Sequence, residues 1–503
     1  MQHGARLAAV DLGSNSFRLE IGRVDHGQFF RTEYLKETVR QGNGLDSSRN
    51  LTTEAMERGW ACLARFSERL AGFGQGEVRA VATQTLREAR NREEFLNRAQ
   101  TLLGFPIDVI SGREEARLIY QGVAHSLPQA DEKRLVIDIG GRSTELILGQ
   151  GSVPSLMESY RVGSIAWSAR YFADHQFTEQ SFHLAEIAAK AVLDEALTIY
   201  PRDAWDIAYG SAGTVGAVDD LLAAAGWPAG RLNRDGLDWL KARLIQAEHV
   251  DKLRLAGLKD ERRAILGGGL SILRALFDLL QIDEMRHATG GLRHGLLCEM
   301  IGTDLDKQDV RSASVDRLAK NFGTDSGHGT RVGVISSQLL EQIEHGLDEP
   351  FIPTEHERLH RKIRWASQLH EIGTHISHSD YHKHGAYILN NVDAMGFTLS
   401  ELHTLGLLVL GHRGKLRKLD VDFDDSKLMC LLLALRLAVI LCHARRNPEL
   451  QGVALSLDSL KARNFALRID SAWARKYPQS AHLLREEVLA WQKTPWTLTL
   501  TEV

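Results

Sequence analysis

Two segments, AVDLGSNSFRLEIG from Ala9 and VIDIGGRSTELILG from Val136, each set an aspartate two residues ahead of a loop of small residues. An offset of 127 maps Asp11 onto Asp138, Gly13 onto Gly140, Ser16 onto Ser143, Leu19 onto Leu146 and Gly22 onto Gly149. Small residues leave successive backbone N–H groups free to turn toward an anion, and a carboxylate just upstream can hold a divalent cation that bridges the same anion. The pair therefore reads as a phosphate clamp. Gly13, Ser14, Asn15 and Ser16 form one jaw, Gly140, Gly141, Arg142, Ser143 and Thr144 the other, and Asp11 and Asp138 enter from both sides. A third small-residue turn, with Gly210, Ser211, Gly213 and Thr214, precedes a helical pattern and adds an anion-holding helix N-terminus.

The elements that position these loops follow from their apolar patterns. Each repeat reads as a strand, a tight turn and a second strand. Between the copies come a helix over Thr53–Leu70, strands at Val78–Ala82 and Ile107–Ile110, and a helix started by Ser111 and Glu114 in capping-box spacing. After the second copy come a helix over Phe182–Ile199, the strand in WDIAYG, and a glycine-rich turn in ATGGLRHGLLCEM. Strands alternating with helices imply parallel sheet flanked by helices. Beyond about Asp304, His- and Leu-rich helical patterns run to about Arg446. From Gly452 the runs VALSLDSL, FALRID and WTLTLTEV flank one helix, Ala481–Gln492.

At 503 residues the chain has room for three or four domains, and 43% hydrophobic with 25% charged residues marks a folded protein. A net charge of -4 offers no global basic field for nucleic acid, which is not expected as a partner. Cys62, Cys298, Cys430 and Cys442 form no C-x-x-C pair, which favours a reducing, cytoplasmic setting and buried thiols. The N-terminus has no apolar stretch of signal-peptide length and is expected to stay in the mature chain. Leu428–Cys442 is too short to span a bilayer and carries Arg436, so it reads as a buried helix and no transmembrane segment is expected.

DLGSNSF, ISGREEARLIY, VIDIGGRSTELILG and GSAGT together resemble the exopolyphosphatase and guanosine pentaphosphate phosphohydrolase family, most of all its exopolyphosphatases. TQTLREA, GLKDERRAIL, GGLRHG, RWASQLHEIG and HSDYHKHGAYILNN extend the resemblance over nearly the whole chain. It implies two ribonuclease-H-like α/β domains of the actin and sugar-kinase superfamily, at 1–125 and 126–304. An all-helical HD-like domain at 305–450 and a small α+β domain at 451–503 would follow. It also implies Mg²⁺-dependent hydrolysis of the terminal phosphoanhydride of inorganic polyphosphate, with guanosine penta- or tetraphosphate as the alternative ligand, and a homodimer.

On matching positions the family's general base falls on Glu115, and its metal carboxylates fall on Asp138 and Glu145, with Asp11 opposite. Glu114 has a sufficient structural reason in the capping box; Glu115 has none. Glu145 stands where the first repeat has Arg18, as if one half had taken on the cation. By the same resemblance Arg87 binds further phosphate and Arg262 helps to read a guanosine nucleotide.

The family usually has a third glycine where this chain has Arg142. A left-handed backbone there would cost about 1–2 kcal/mol. The favoured reading is that the strain is tolerated because the guanidinium meets phosphate; a local backbone change is the other.

In the helical region His328, His370, His378, His382, His384 and His412 invite a metal reading. Glu371 and Val439, however, stand where an HD centre needs aspartates. These histidines are expected to be helix and interface residues, with RKIR and HRGKLRK giving local positive charge for a polyphosphate chain. An acceptor-dependent phosphotransferase and a non-hydrolytic alarmone-binding regulator are the readings from other classes.

Overall fold

The computed structural model describes residues 5–25, 28–127, 131–302, 310–345, 351, 353–392, 394, 396–459 and 463–503. They fall into two compact units, 1–307 and 308–503. The expected boundary at 304 lies outside the described residues.

The first unit holds two sheets. One contains β1 (Arg6–Leu12), β2 (Ser16–Asp25), β3 (Gln28–Thr38), β4 (Val78–Ala82) and β5 (Ile107–Val109), ordered β3-β2-β1-β4-β5. The other contains β6 (Lys133–Ile139), β7 (Thr144–Gln150), β8 (Val153–Tyr160), β9 (Ile207–Ser211), β10 (Arg231–Asn233) and β11 (Glu284–His287). Its order is β10-β11-β9-β6-β7-β8. Without the edge strand β10 the two orders are the same, an antiparallel hairpin followed by parallel strands. The repeat therefore extends from one motif to whole sheets.

The offset of 127 holds at the level of strand register. Asp11 pairs with Arg18 in the first hairpin, and Asp138 pairs with Glu145 at the same place in the second. A Cβ on Gly13 would lie 3.1 Å from the Ser16 carbonyl, and one on Gly140 would lie 3.1 Å from that of Ser143, so both turns are equally tight. β1 and β6 are buried along nearly their whole length, which is why they read as continuous apolar runs broken only by the aspartates.

The helix Gly112–Ser126 carries Glu115. Its start keeps half of the expected capping box: the Ser111 hydroxyl accepts from the Glu114 N–H at 3.2 Å, but the Glu114 carboxylate turns to Arg117 instead of the Ser111 N–H. Both Glu114 oxygens accept from Arg117 at 2.8 Å, and Arg117 also joins Glu299 of the helix Leu292–Ile301. That second helix departs from the expected division at 126. It packs on Gly112–Ser126 and β1, and Leu296, Leu297 and Ile301 share a core with Leu7, Val81 and Leu118 of the first half. The chain thus ends its second half by returning to the first.

The approach of the two helices is closed by glycine. A Cβ on Gly122 would meet the Gly291 carbonyl at 2.1 Å, and one on Gly295 would meet that of Leu118 at 1.9 Å. The helix expected over Phe182–Ile199 is interrupted, running Glu179–Leu193 and Ala196–Ile199.

The second unit is helical from Val310 to Leu441, then closes with β12 (Val453–Ser459), β13 (Asn464–Ile469) and β14 (Thr497–Glu502) in the order β12-β13-β14. Residues 451–503 do not make a separate core. Leu455, Phe465, Trp491 and Trp496 join Leu339, Ile363 and Leu433 in one cluster. Arg436, on the helix Ser426–Leu441, is buried in an ion pair with Glu487, which explains a cation inside so apolar a run. All four cysteines are buried. Among the described residues no helix is long and apolar enough to cross a membrane.

Gly295→Ala tests the glycine contact. Inserting a methyl group against a carbonyl should cost about 1–3 kcal/mol in urea unfolding. An unchanged midpoint would mean that the helices are not held at this distance.

Candidate active site

Between the two hairpins of the first unit lies a cavity of about 370 Å³. The jaws face one another. A Cβ on Gly141 would lie 3.1 Å from the Ser14 Cβ, and the Gly42 N–H donates to the Ser14 carbonyl at 2.8 Å. Gly13, Ser14, Asn15 and Ser16 line one side, and Gly140, Gly141 and Ser143 line the other, with Asp11, Asp138 and Glu115 between them. Not every loop amide is available, because the Gly140 N–H closes its own turn on the Ser143 carbonyl at 2.9 Å.

Arg142 corrects the favoured reading. Neither it nor Asn15 has a positive φ, so the turn stores no left-handed strain there. Its guanidinium does not line the cavity. It donates to Glu88 at 2.8 Å and to the Gly42 carbonyl at 3.0 Å, tying the second hairpin to the first half. The left-handed residue at this site is Ala212, φ 65°, in the third turn. It costs about 1–2 kcal/mol and bends the chain into the helix Ala212–Ala224 at the cavity wall.

The floor of the cavity is acidic and buried. The Ser211 hydroxyl donates to Asp138 instead of capping its own helix. Burial raises the Asp138 carboxyl to about 6, opposed by the Ser211 bond and by the charges of Arg18 and Arg293, and reinforced by Asp11. Glu115 is also raised, by burial and then by Asp11 and Asp138, while Arg87, donating at 2.7 Å, favours its charged form. Glu145 is pushed well above its ordinary value by burial and by the charges of Glu115 and Asp138.

Glu145 does not line the cavity. It lies behind, held by the Ser159 hydroxyl at 2.8 Å. Asp11 is compensated by Arg18 at 3.4 Å and Arg293 at 3.5 Å.

Carboxylates this close and this buried need either protons or a cation. No three of them bring their oxygens within 4.8 Å of one another. The donor set is sparse and all oxygen, which fits a hard cation such as Mg²⁺. That ion takes one or two carboxylates and completes its shell with water and phosphate. Asp138, with Glu145 or Glu115, is the pair that would hold it.

The wall facing the carboxylates is cationic. Arg18, Arg262 and Arg293 line the cavity, and the Arg18 Nε is buried without a hydrogen-bond partner. Arg262 lies over Gly213, where a Cβ would come within 1.8 Å of its guanidinium. Burial and the neighbouring Arg18 charge lower its pKa, opposed by the Glu261 carboxylate. Arg18, Tyr34, Gly213, Arg262 and His287 also line an adjoining cavity of about 280 Å³ that contains Lys36, Lys259 and Glu261.

Several expected contacts act at one remove. Arg87 works through Glu115, Ser211 through Asp138, and Thr144 bonds the Val162 carbonyl at 2.6 Å. Gly210 leaves room for Met285 and Val215. Thr214 lines the cavity as expected and anchors its turn to the Ile139 carbonyl at 2.9 Å. The sequence reading missed Arg18, Tyr34 and Arg293 as site residues. Arg293 lies in the quoted GGLRHG, and its signal is a cation two residues after the glycine pair at a helix start.

If carboxylate repulsion governs this floor, Glu145→Gln should raise the urea-unfolding free energy of the protein in EDTA by about 1–2 kcal/mol. A loss of stability would mean that the bond to Ser159 outweighs the repulsion.

Comparison with known proteins agrees with this arrangement. The model of the Ppx/GppA phosphatase family matches residues 21–304, and that of Ppx/GppA phosphatase domain III matches residues 310–488. A guanosine-5'-triphosphate,3'-diphosphate pyrophosphatase of Vibrio cholerae is 38% identical over 498 residues, covering 98% of this chain and 97% of the relative. One of the same description from Vibrio parahaemolyticus is 37% identical over 497 residues, 98% of each.

Among solved structures, an exopolyphosphatase from Cytophaga hutchinsonii matches with TM-score 0.53 at 23% identity, over 59% of this chain and 97% of that one. The Aquifex aeolicus Ppx/GppA family member matches with TM-score 0.51 at 24% identity, over 60% and 99%. These likenesses show a shared α/β fold. With two opposed small-residue hairpins, a buried carboxylate floor and matches over nearly its full length, the chain belongs to the Ppx/GppA phosphatase family, hydrolases of phosphoanhydride bonds.

Proposed function

We propose that this chain hydrolyses the terminal phosphoanhydride of guanosine pentaphosphate, releasing orthophosphate and leaving the tetraphosphate. The observation that carries this reading is the continuity of the phosphate-loop cavity with a second cavity through Arg18, Tyr34 and Arg262, whose lysines Lys36 and Lys259 are paired with Glu261 and Asp220 and whose Arg18 and Arg262 face both compartments. A nucleoside with phosphates at both ends suits two joined compartments of this kind. The full-length Vibrio relatives bear a matching description.

In the mechanism, N–H groups of the two hairpins and the start of Ala212–Ala224 hold the terminal phosphoryl group, and Arg18 and Arg293 balance its charge. Glu115 accepts a proton from the attacking water. The water oxygen bonds to phosphorus as the bond from phosphorus to the bridging oxygen breaks, and the electron pair leaves on the nucleotide's phosphate. Arg87 keeps Glu115 aimed and favours its ionised form against the effect of burial. A divalent cation on Asp138 and Glu145 would supply further neutralisation of the phosphoryl oxygens. Arg262 reads phosphate in the adjoining compartment.

Inorganic polyphosphate is the second reading, favoured by the exposed cations Arg413, Lys415, Arg417 and Lys418 of HRGKLRK. Reversing charge at Lys415 and Arg417 should damage long-chain hydrolysis far more than short-chain hydrolysis; equal effects would remove that role.

The deciding assay compares phosphate release from guanosine pentaphosphate, long polyphosphate and ATP, with and without Mg²⁺. Mg²⁺-dependent release without an acceptor, fastest from the pentaphosphate, is expected. Release that needs an acceptor would make this a phosphotransferase, and none at all would leave a binding protein. Glu115→Gln should cut turnover at least about a hundredfold with modest change in affinity. Arg262→Ala should raise KM for the pentaphosphate about tenfold, the scale of one charged hydrogen bond, and spare short polyphosphate.

A further inference from the structure

In the second unit the helix Ser326–Glu344 ends where Glu344 meets the helix Pro353–Leu369. On the latter, His356 and His360 stand one turn apart on the same face, in the run HERLH. The His356 Nδ1 lies 2.6 Å, and the His360 Nε2 3.6 Å, from the same Glu344 Oε2. The two rings are 4.2 Å apart between centroids, and one ligand atom from each of the three residues falls within a 4.8 Å group.

An ion pair between His356 and Glu344 would account for the short contact. It leaves two further atoms unexplained. Among the described residues the Glu344 Oε1 and the His360 Nε2 are buried with no partner at hydrogen-bond distance, on side chains only 10% and 9% exposed. Buried polar atoms without partners are costly, and here both belong to metal-ligating groups that converge on one point.

We propose that Glu344, His356 and His360 bind a transition-metal dication, with Zn²⁺ the best match to two imidazoles and a carboxylate. The half-exposed His356 leaves the site open to solvent for entry and for a fourth ligand. The metal clips the ends of two helices together. It does not make a hydrolytic centre, because Glu357, the acid of the HERLH run, is 67% exposed and faces Arg361 at 3.9 Å.

A second cluster, His328, His370 and Glu371, is similarly compact. There both Glu371 oxygens accept from Arg445, at 2.7 and 3.0 Å, so a cation already occupies the carboxylate.

The test uses the full chain, stripped with EDTA, returned to excess Mg²⁺ and titrated with Zn²⁺, with Co²⁺ as a spectroscopic probe of nitrogen ligation. Wild type should bind Zn²⁺ at this site and unfold at higher temperature with it. His360→Ala should weaken that binding by more than about a hundredfold, beyond the cost of losing an outer-shell partner. Should His360→Ala fail to fold, His356→Gln at the half-exposed position gives the same readout with circular dichroism as the fold control. His370→Ala should retain the site. No Zn²⁺ uptake by wild type, equal uptake by wild type and the His356 and His360 variants, or loss only in His370→Ala would each overturn the proposal.

Discussion

Mutual repulsion among buried carboxylates is the constraint around which the first unit is organised. Asp11, Glu115, Asp138 and Glu145 all sit under a tenth exposed, on two hairpins and one helix. Three of them hold their protons more tightly than free carboxyl groups do. The surroundings counter this unevenly. Arg18 and Arg293 compensate Asp11, Arg87 compensates Glu115, and Glu145 has serine hydroxyls and, among the described residues, no ion pair of its own. The undercompensated side is where the proposed divalent cation would be held.

The two hairpins differ in charge at the same register position. The paired positions Asp11 and Arg18 form a self-neutralised pair across strands, whereas their counterparts Asp138 and Glu145 carry the same sign. The glycine-closed approach of Leu292–Ile301 to Gly112–Ser126 fixes Glu115 over the acidic hairpin, with Arg117 joining Glu114 to Glu299 beneath it.

Much of this could be read from residues alone. The offset of 127 was visible because the small residues of the turns and the buried strand positions tolerate little change, and it carried over to register and sheet order. The capping box expected of Glu114 with Ser111 forms only on the Ser111 side; the Glu114 carboxylate is accounted for by Arg117, three residues on, and Glu115 was singled out by the family resemblance. Arg142 could not be placed, since its partners Glu88 and Gly42 are 54 and 100 positions away. Long-range pairing of this kind leaves no local period or spacing. The same holds for the return of Leu292–Ile301 to the first sheet and for the shared core of residues 451–503. The triad of Glu344, His356 and His360 was half legible as HERLH, but its carboxylate comes from another helix.

The proposed reaction requires the opposed hairpins to hold a divalent cation and a phosphoryl group in one shared site. Mg²⁺ affinity measured by calorimetry with and without saturating orthophosphate tests it most directly. The account predicts that phosphate tightens Mg²⁺ binding in the wild-type chain and that Asp138→Asn abolishes the coupling. Mg²⁺ binding indifferent to phosphate, or coupling that survives in Asp138→Asn, would contradict it.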